Sequence, residues 1–448
     1  MLCNKSAGNC TPVPTEVNDM RRFLFAFGFT LAGSVIADTP GLSDIYDLSI
    51  ANDPAVRSQV ATRDAAASAR DAVEATRGVS VDSEIQGSYT ESYSGDDDYQ
   101  TGSLSVTVSL PLFNSELNAS IDAQNASARA ADATLTGFRQ SHIVTVSERY
   151  FAVLSAGQDL LAAEAEVTAF ERQLEQATER LNVGIGTRVD VDQARAQLDL
   201  SKVGLISAEV ALQTAQSNLA QLVGVDIDAL ADLSSDFEAT VHRQLETSIR
   251  DRIEQHPDVL AKEAAYQSAR ANLRQARAET TPSLAVSSRF SMSDSSGSNS
   301  ATVNATSRRN VVSLTLSQPL YTNGEADASI ARAEAQLIQA EADLETVRRR
   351  VQTNIQVAAG NLAASARTVE ARELAIVSAA SRVEATEAAY AVGSGDIVEV
   401  LNAQKDLIAA ERDLQKARHT HVIRQLEFDE ALGDLSEAAI TRVDQYLQ

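Results

Sequence analysis

The chain has only two cysteines, Cys3 and Cys10, both within its first ten residues. The rest of the sequence therefore holds neither a disulfide framework nor a Cys-based zinc site. It has no Trp, and aromatics make up 4% of its residues. Basic residues are scarce beside acidic ones, 38 against 62, for a net charge of −24. A polyanion of this kind excludes nucleic acid as a partner, because that affinity rests on Lys and Arg at phosphates. Proline occurs only at positions 12, 14, 40, 54, 111, 257, 282 and 319. None falls between 111 and 257 or after 319, so two long tracts lack the strongest helix breaker. The 44% apolar and 22% charged content excludes a disordered chain. At 448 residues, the length alone would allow roughly three domains.

Near the start, Met20-Arg21-Arg22 precedes the uncharged apolar run Phe23–Ile36. Small residues at Val35-Ile36-Ala37 follow, then Asp38-Thr39-Pro40. A charged segment, an apolar core and a small-residue cleavage site make a secretory signal. Residues 1–37 are expected to be an upstream extension and signal peptide, and the mature chain, from 38, then has no Cys. The apolar run is shorter than the roughly 20 residues a spanning helix needs.

The remainder reads as two copies of one unit. Pro54 in Asn52-Asp53-Pro54-Ala55-Val56 is matched by Pro257 in Gln255-His256-Pro257-Asp258-Val259. Leu110-Pro111-Leu112-Phe113 is matched by Gln318-Pro319-Leu320-Tyr321, and Val183-Gly184-Ile185-Gly186 by Val392-Gly393-Ser394-Gly395. The offsets are nearly constant, which predicts a first repeat over 38–246 and a second over 247–448. Each repeat is expected to carry a helix (51–78; 247–280), two strands (79–93 and 103–113; 283–292 and 311–321), a long helix (115–182; 323–391) and a return helix (189–223; 396–432). The strands are read from period-two alternation, as in Leu104, Val106, Val108, Leu110 and Leu112 separated by Ser and Thr. Polar segments at Ser94–Asp98 and 293–308 are expected to be hairpin tips. The long helices are read from Ala, Glu, Gln, Arg and Leu content, and each reaches roughly 100 Å at 1.5 Å per residue. Summed lengths let two short helices, end to end, run beside one long one. Residues 224–246 and the tail after 433 carry little pattern.

Strands of about ten residues suit a tilted membrane crossing. Four cannot close a barrel, and an open apolar sheet is not tolerated in lipid. Several chains sharing one barrel resolves this, and three give twelve strands.

The two tip motifs are the most specific residues. They are Arg180-Leu181-Asn182-Val183-Gly184 with Asp190-Val191 and Gln193-Ala194-Arg195, and Tyr390-Ala391-Val392-Gly393 with Val398-Glu399-Val400-Leu401-Asn402-Ala403. With the leader, the duplication and the paired strands, the chain resembles the TolC-like outer-membrane efflux proteins. The resemblance implies a mainly α homotrimer with a shared 12-stranded transmembrane β-barrel in outer-membrane lipid and a long periplasmic α-helical tunnel. It implies an exit duct without enzymatic activity or cofactor, serving drug efflux or type I secretion. Implied partners are a periplasmic adaptor (membrane fusion) protein and an inner-membrane RND or ABC transporter. The tips, with Val183, Gly184, Gly186, Val392, Gly393 and Gly395, are the implied adaptor-docking surface. Asp190 and Tyr390 match positions in the linkage that closes the tunnel, and Glu399 matches an acidic ring at the constriction. There are two departures. Gly395 stands where an Arg often joins the linkage, and Asn402 replaces a second acidic ring position. The lost Arg makes Arg188 a substitute candidate. Independently of the resemblance, three carboxylates at one pore axis repel and favour cations.

Other signals are weak. The Gly-x-Gly pairs are too short for a nucleotide fingerprint. His419 and His421 lie two apart on a helix, where side chains diverge. His142, His242 and His256 are isolated, and no Ser/His/Asp arrangement is visible. Asp96-Asp97-Asp98 reads as a solvated tip. The competing reading is a periplasmic coiled-coil adaptor or structural protein, which would carry soluble β domains of its own.

Overall fold

The computed structural model describes residues 39–91, 99–227, 229–234, 237–239, 249–297 and 305–447. The expected leader over 1–37, the Asp96–Asp98 tip and residues 240–248, with His242, lie outside these. The chain runs α1 (Leu42–Asn52), α2 (Pro54–Ala75), β1 (Ser80–Thr90), β2 (Tyr99–Phe113), α3 (Ser115–Asn182) and α4 (Arg188–Val223). It continues with α5 (Ile249–Gln255), α6 (Pro257–Ala278), β3 (Ser283–Gly297), β4 (Ala305–Ser317), α7 (Glu325–Ala391), α8 (Ile397–Ala431) and α9 (Glu437–Asp444).

Several boundaries differ from the sequence expectation, for local reasons. The helix expected over 51–78 is α2 preceded by the end of a separate helix, α1, which begins at Leu42, and the one expected over 247–280 is two helices, α5 and α6. Pro54 and Pro257 each open a helix at its first position, where their missing N–H removes no bond. Asp53 caps α2 by accepting from Ala55 N at 2.8 Å, and His256 caps α6 by accepting from Asp258 N at 3.2 Å. The supposed 293–308 tip is largely strand, because β3 runs to Gly297 and β4 starts at Ala305. The last strand ends at Ser317 rather than 321, just ahead of Pro319, which has no N–H to donate to a ladder. The tail after 433 forms α9 instead of an irregular end.

The strands form one antiparallel sheet in the order β1-β2-β3-β4. The register sets Val81, Val108, Ser288 and Val312 side by side, and likewise Ile85, Leu104, Met292 and Arg308. One face is thus mostly apolar and the other rich in Ser and Thr. The helices continue that order as a layer. Near the sheet the sequence of neighbours is α2, α3, α6, α7, and farther away α4, α3, α8, α7. Each long helix therefore spans both levels, α7 beside α6 and α8 and α3 between α2 and α6 above and α4 and α8 below.

The joints between stacked helices are alike. Gly224 (φ +79°) ends α4 against Asn52, whose Nδ2 donates to Val223 O at 2.8 Å. Gly433 (φ +73°) follows α8 and packs on His256 and Pro257. The main core lies at this level. Leu42 and Ile45 of α1 and Ile440 of α9 cover Val146, Tyr150 and Phe151 of α3, with Leu219 of α4 and Leu426 of α8. Tyr150 Oη donates to Ala231 O at 2.5 Å, which ties the segment around 231 to α3.

Candidate functional site

The two helix hairpins end in matching turns. Gly184 has φ +80° and Gly393 φ +76°, a conformation that costs a residue with a Cβ about 1–2 kcal/mol. Gly186 N donates to Arg180 O at 2.9 Å, and Gly395 N to Ala389 O at 3.1 Å. A Cβ at Gly186 would lie 2.9 Å from Leu181 N, and one at Gly395 would lie 3.1 Å from Tyr390 N. The position that the resemblance would fill with Arg is thus tightly overhung by the preceding helix. Past the turns, Thr187 and Asp190 cap α4 reciprocally: Asp190 N donates to Thr187 Oγ1 (3.2 Å) and Thr187 N to Asp190 Oδ2 (3.0 Å). Asp396 caps α8 through Val398 N at 3.1 Å. Val183, Ile185, Val189 and Val392 are left exposed around the turns.

A small core fastens the hairpins together above these turns. Phe170 and Ala177 of α3 and Val191, Ala194 and Leu198 of α4 meet Tyr390, Ile397, Val400 and Leu401. Tyr390 is only 7% exposed. The Arg180 guanidinium lies over its ring, 4.5 Å from the centroid. Its hydroxyl is buried with no hydrogen-bond partner among the described residues. Burial pushes the phenol pKa up; Arg180 opposes this, and the nearby Asp190 and Asp396 add to it.

The structure therefore gathers Tyr390, Asp190 and Arg180. Arg180 belongs to the first tip motif, and nothing in its local spacing shows that it crosses to the other hairpin. Arg188 is elsewhere, 87% exposed, with Nε 3.8 Å from Asp192 on its own helix. Glu399 and Asn402 are exposed, about one turn apart on α8, while the alternating Val400, Leu401 and Ala403 are buried.

At the level of the main core three histidines are hydrogen-bonded: His419 and His421, whose side chains diverge as expected, and His142, which looks isolated in sequence. Ser155 Oγ lies 3.1 Å from His419 Nδ1, and His419 Nε2 lies 2.8 Å from Asp232 Oδ1. Burial would raise the Asp232 pKa, but His419, Leu233 N and Gln158 bond its carboxylate and the net direction is down. This Ser–His–Asp chain joins α3, α8 and the segment around 232. The imidazole is 1% exposed and packs on Phe151, so the chain acts as a structural pin rather than a nucleophile. His142 bonds Ser49 (2.9 Å) and His421 bonds Ser365 (2.9 Å) in the same belt.

Among the described residues no helix is long and apolar enough to cross a membrane. The part of the molecule with a bilayer-facing pattern is the four-stranded sheet, whose longest strands have 15 residues. A one-sided apolar sheet joined to a tall two-hairpin helical layer defines an outer-membrane channel subunit. Residues 45–225 and 249–434 match the family model described as outer membrane efflux protein, and the chain belongs to that family. It is 30% identical to the outer membrane protein TolC of Vibrio cholerae, over 94% of this chain and 96% of the relative. It is 27% identical to the alkaline protease secretion protein AprF of Pseudomonas aeruginosa, over 95% and 91%. Its fold superposes on the crystal structure of CusC with a TM-score of 0.78 at 20% identity, covering 88% of this chain and 92% of that one. The chain is thus an outer-membrane exit duct of efflux or secretion systems, a transport protein and not an enzyme.

Proposed function

We propose that three copies close into one duct: a twelve-stranded barrel in outer-membrane lipid, continued by a helical tunnel through the periplasm. The carrying observation is that, among the described residues, every level has two edges without a packed neighbour. They are β1 and β4 in the sheet, α2 and α7 beside it, and α4 and α7 near the tips. An unpaired sheet edge in lipid leaves backbone groups unsatisfied. The helical edges are apolar as well. Leu200, Val203, Ile206 and Val210 on α4 are exposed, and so are Leu374 and Val377 on α7. Val203 lies sixteen residues after Thr187, and Val377 sixteen before Gly393. Both are therefore about 24 Å from the tips, the same height, as α4 of one copy meeting α7 of the next requires.

In this reading the tips with Val183, Gly184, Gly186, Val392, Gly393 and Gly395 receive a periplasmic adaptor coupled to an inner-membrane RND or ABC transporter. The gate is the Tyr390 cluster with Asp190 and Arg180. Glu399 and Asn402 line the constriction, and exposed Arg188 is free to reach a neighbouring copy. The test uses the absence of Cys after residue 10. The double variant Val203→Cys/Val377→Cys should form a covalent trimer on mild oxidation, while each single variant stays uncrosslinked. Monomer only, from the double variant, would refute the ring.

A further inference from the structure

A cavity of about 590 Å³ opens where the stacked helices of the second half meet, between α3, α6, α7 and α8. That is the size of a small-molecule site. Its wall combines Phe138 and the Val357 side chain with amides and carboxylates. Charge counting defines the ligand. Asp258 is paired to Arg350 at 2.8 Å, and Glu427 accepts two bonds from Arg424 at 2.6 and 2.7 Å. His256 Nδ1 accepts from Asp258 N at 3.2 Å, and burial lowers the ring's pKa against the opposing pull of Asp258 and of its bond to the Glu430 backbone, which disfavours a compensating imidazolium here. Of the three carboxylates that line the cavity, Glu430 is the one without an ion pair or side-chain hydrogen bond among the described residues. Burial and then Glu427, Asp258 and Glu148 push it up to about 7, so it lacks the positive charge it needs to ionise freely. Gln140, 8% exposed, also lines the cavity. Its Nε2 donates to Gly433 O at 2.8 Å, and its amide oxygen takes no donor from the described residues.

Position matters as much as chemistry. Thr134, Gly137 and Ser141 line the cavity. Each stands nine residues, half a revolution of helix, from Ile143, Val146 and Tyr150, which lie under α1 and α9. The cavity and the α1–α9 belt are therefore on opposite faces of the helical layer. If the belt wraps the outside of the ring, the cavity opens to the lumen, and that clause rests on the duct reading.

We propose that this cavity binds an organic monocation with a flat aromatic body, its charge on Glu430 and its ring on Phe138, as a cargo-binding step on the tunnel wall. One unneutralised carboxylate calls for one positive charge rather than a metal dication.

The test is binding of ethidium to the full-length, detergent-purified protein, read by fluorescence polarisation. At about pH 8, Glu430→Gln should weaken binding about tenfold, and Phe138→Ala should weaken it too, while Glu164→Gln, at an exposed α3 carboxylate outside the cavity, leaves it unchanged. Wild-type affinity should fall by a similar factor as pH drops to about 5.5 and Glu430 takes up a proton; this reading needs no variant. Binding that is pH-independent, within twofold in Glu430→Gln, or lost in Glu164→Gln instead, overturns the site. Bilayer conductance on the same preparation separates the two readings. A conducting protein without this binding refutes the cavity alone, and a non-conducting one that binds refutes the duct alone.

Discussion

The contact between Arg180 and Tyr390 makes a prediction that separates two ways of closing the tunnel. The resemblance places Asp190 and Tyr390 in the linkage, and a polar link from a tyrosine would run through its hydroxyl. In the structure Asp190 is engaged in capping Thr187, the hydroxyl has no partner, and the ring carries the contact to Arg180. A cation over a desolvated ring contributes about 1–2 kcal/mol. With three copies opening together the closed state would gain about 3–6 kcal/mol, a factor of roughly 10² to 10⁴ in population. Arg180→Gln should therefore raise the open fraction in single-channel recordings by orders of magnitude. Tyr390→Phe keeps the ring and removes an unsatisfied buried hydroxyl. It should leave the closed state unchanged or tighten it by about 1 kcal/mol per copy. Tyr390→Ala should open the channel at least as far as Arg180→Gln. If Tyr390→Phe opens the channel as Arg180→Gln does, the hydroxyl carries the link and the reasoning from the ring is wrong.

Other predictions follow from single groups. Glu430 rises from 4.5 to about 7 on folding. The folded chain then binds more protons between those values, and stability falls as pH rises through the interval by up to about 3 kcal/mol. Denaturant unfolding at several pH values should show that slope in the wild type and lack it in Glu430→Gln. His142 is shifted the other way, its pKa lowered by burial against the pull of Asp53. It contributes stability above its unfolded value near 6.5 that is lost as pH falls, so a variant that replaces it, His142→Gln, should be less acid-labile than wild type relative to its own neutral-pH stability. Gly433→Ala meets both a left-handed φ and Pro257 Cδ at 3.1 Å, and should cost about 1–2 kcal/mol or more in unfolding experiments. Glu399→Gln should weaken block of the channel by multivalent cations, since it removes carboxylates from the proposed ring.

Much of the architecture was visible because its punctuation is sparse and strong. Pro54 and Pro257, Gly184 and Gly393 recur at one period, and the tracts between them have nothing that stops a helix. The same prolines also mark the breaks before α2 and α6. The sequence hides these breaks because Pro at a first helical position interrupts neither the composition nor the flanking apolar residues. The β3–β4 hairpin is longer than its sequence signal because Ser, Asp and Arg near its tip hide the alternation that Leu and Val show at its base. α9 is eight residues long and is held by the core under Leu42 and Ile45, a tertiary contact with no local signature. The site divides the same way. The Val-Gly turns announce themselves by composition. The meeting of Arg180 with Tyr390, of His419 with Asp232, and the isolation of Glu430 arise only when residues about 180 or more positions apart are brought together.

The central claim is that this chain is one third of a gated channel. Planar-bilayer conductance of the purified, detergent-extracted protein, with its mass measured in the same detergent, tests it most directly. A trimer passing small, cation-preferring currents that increase in Arg180→Gln is the predicted result. A monomer that forms no channel and stays in the periplasmic fraction would contradict it.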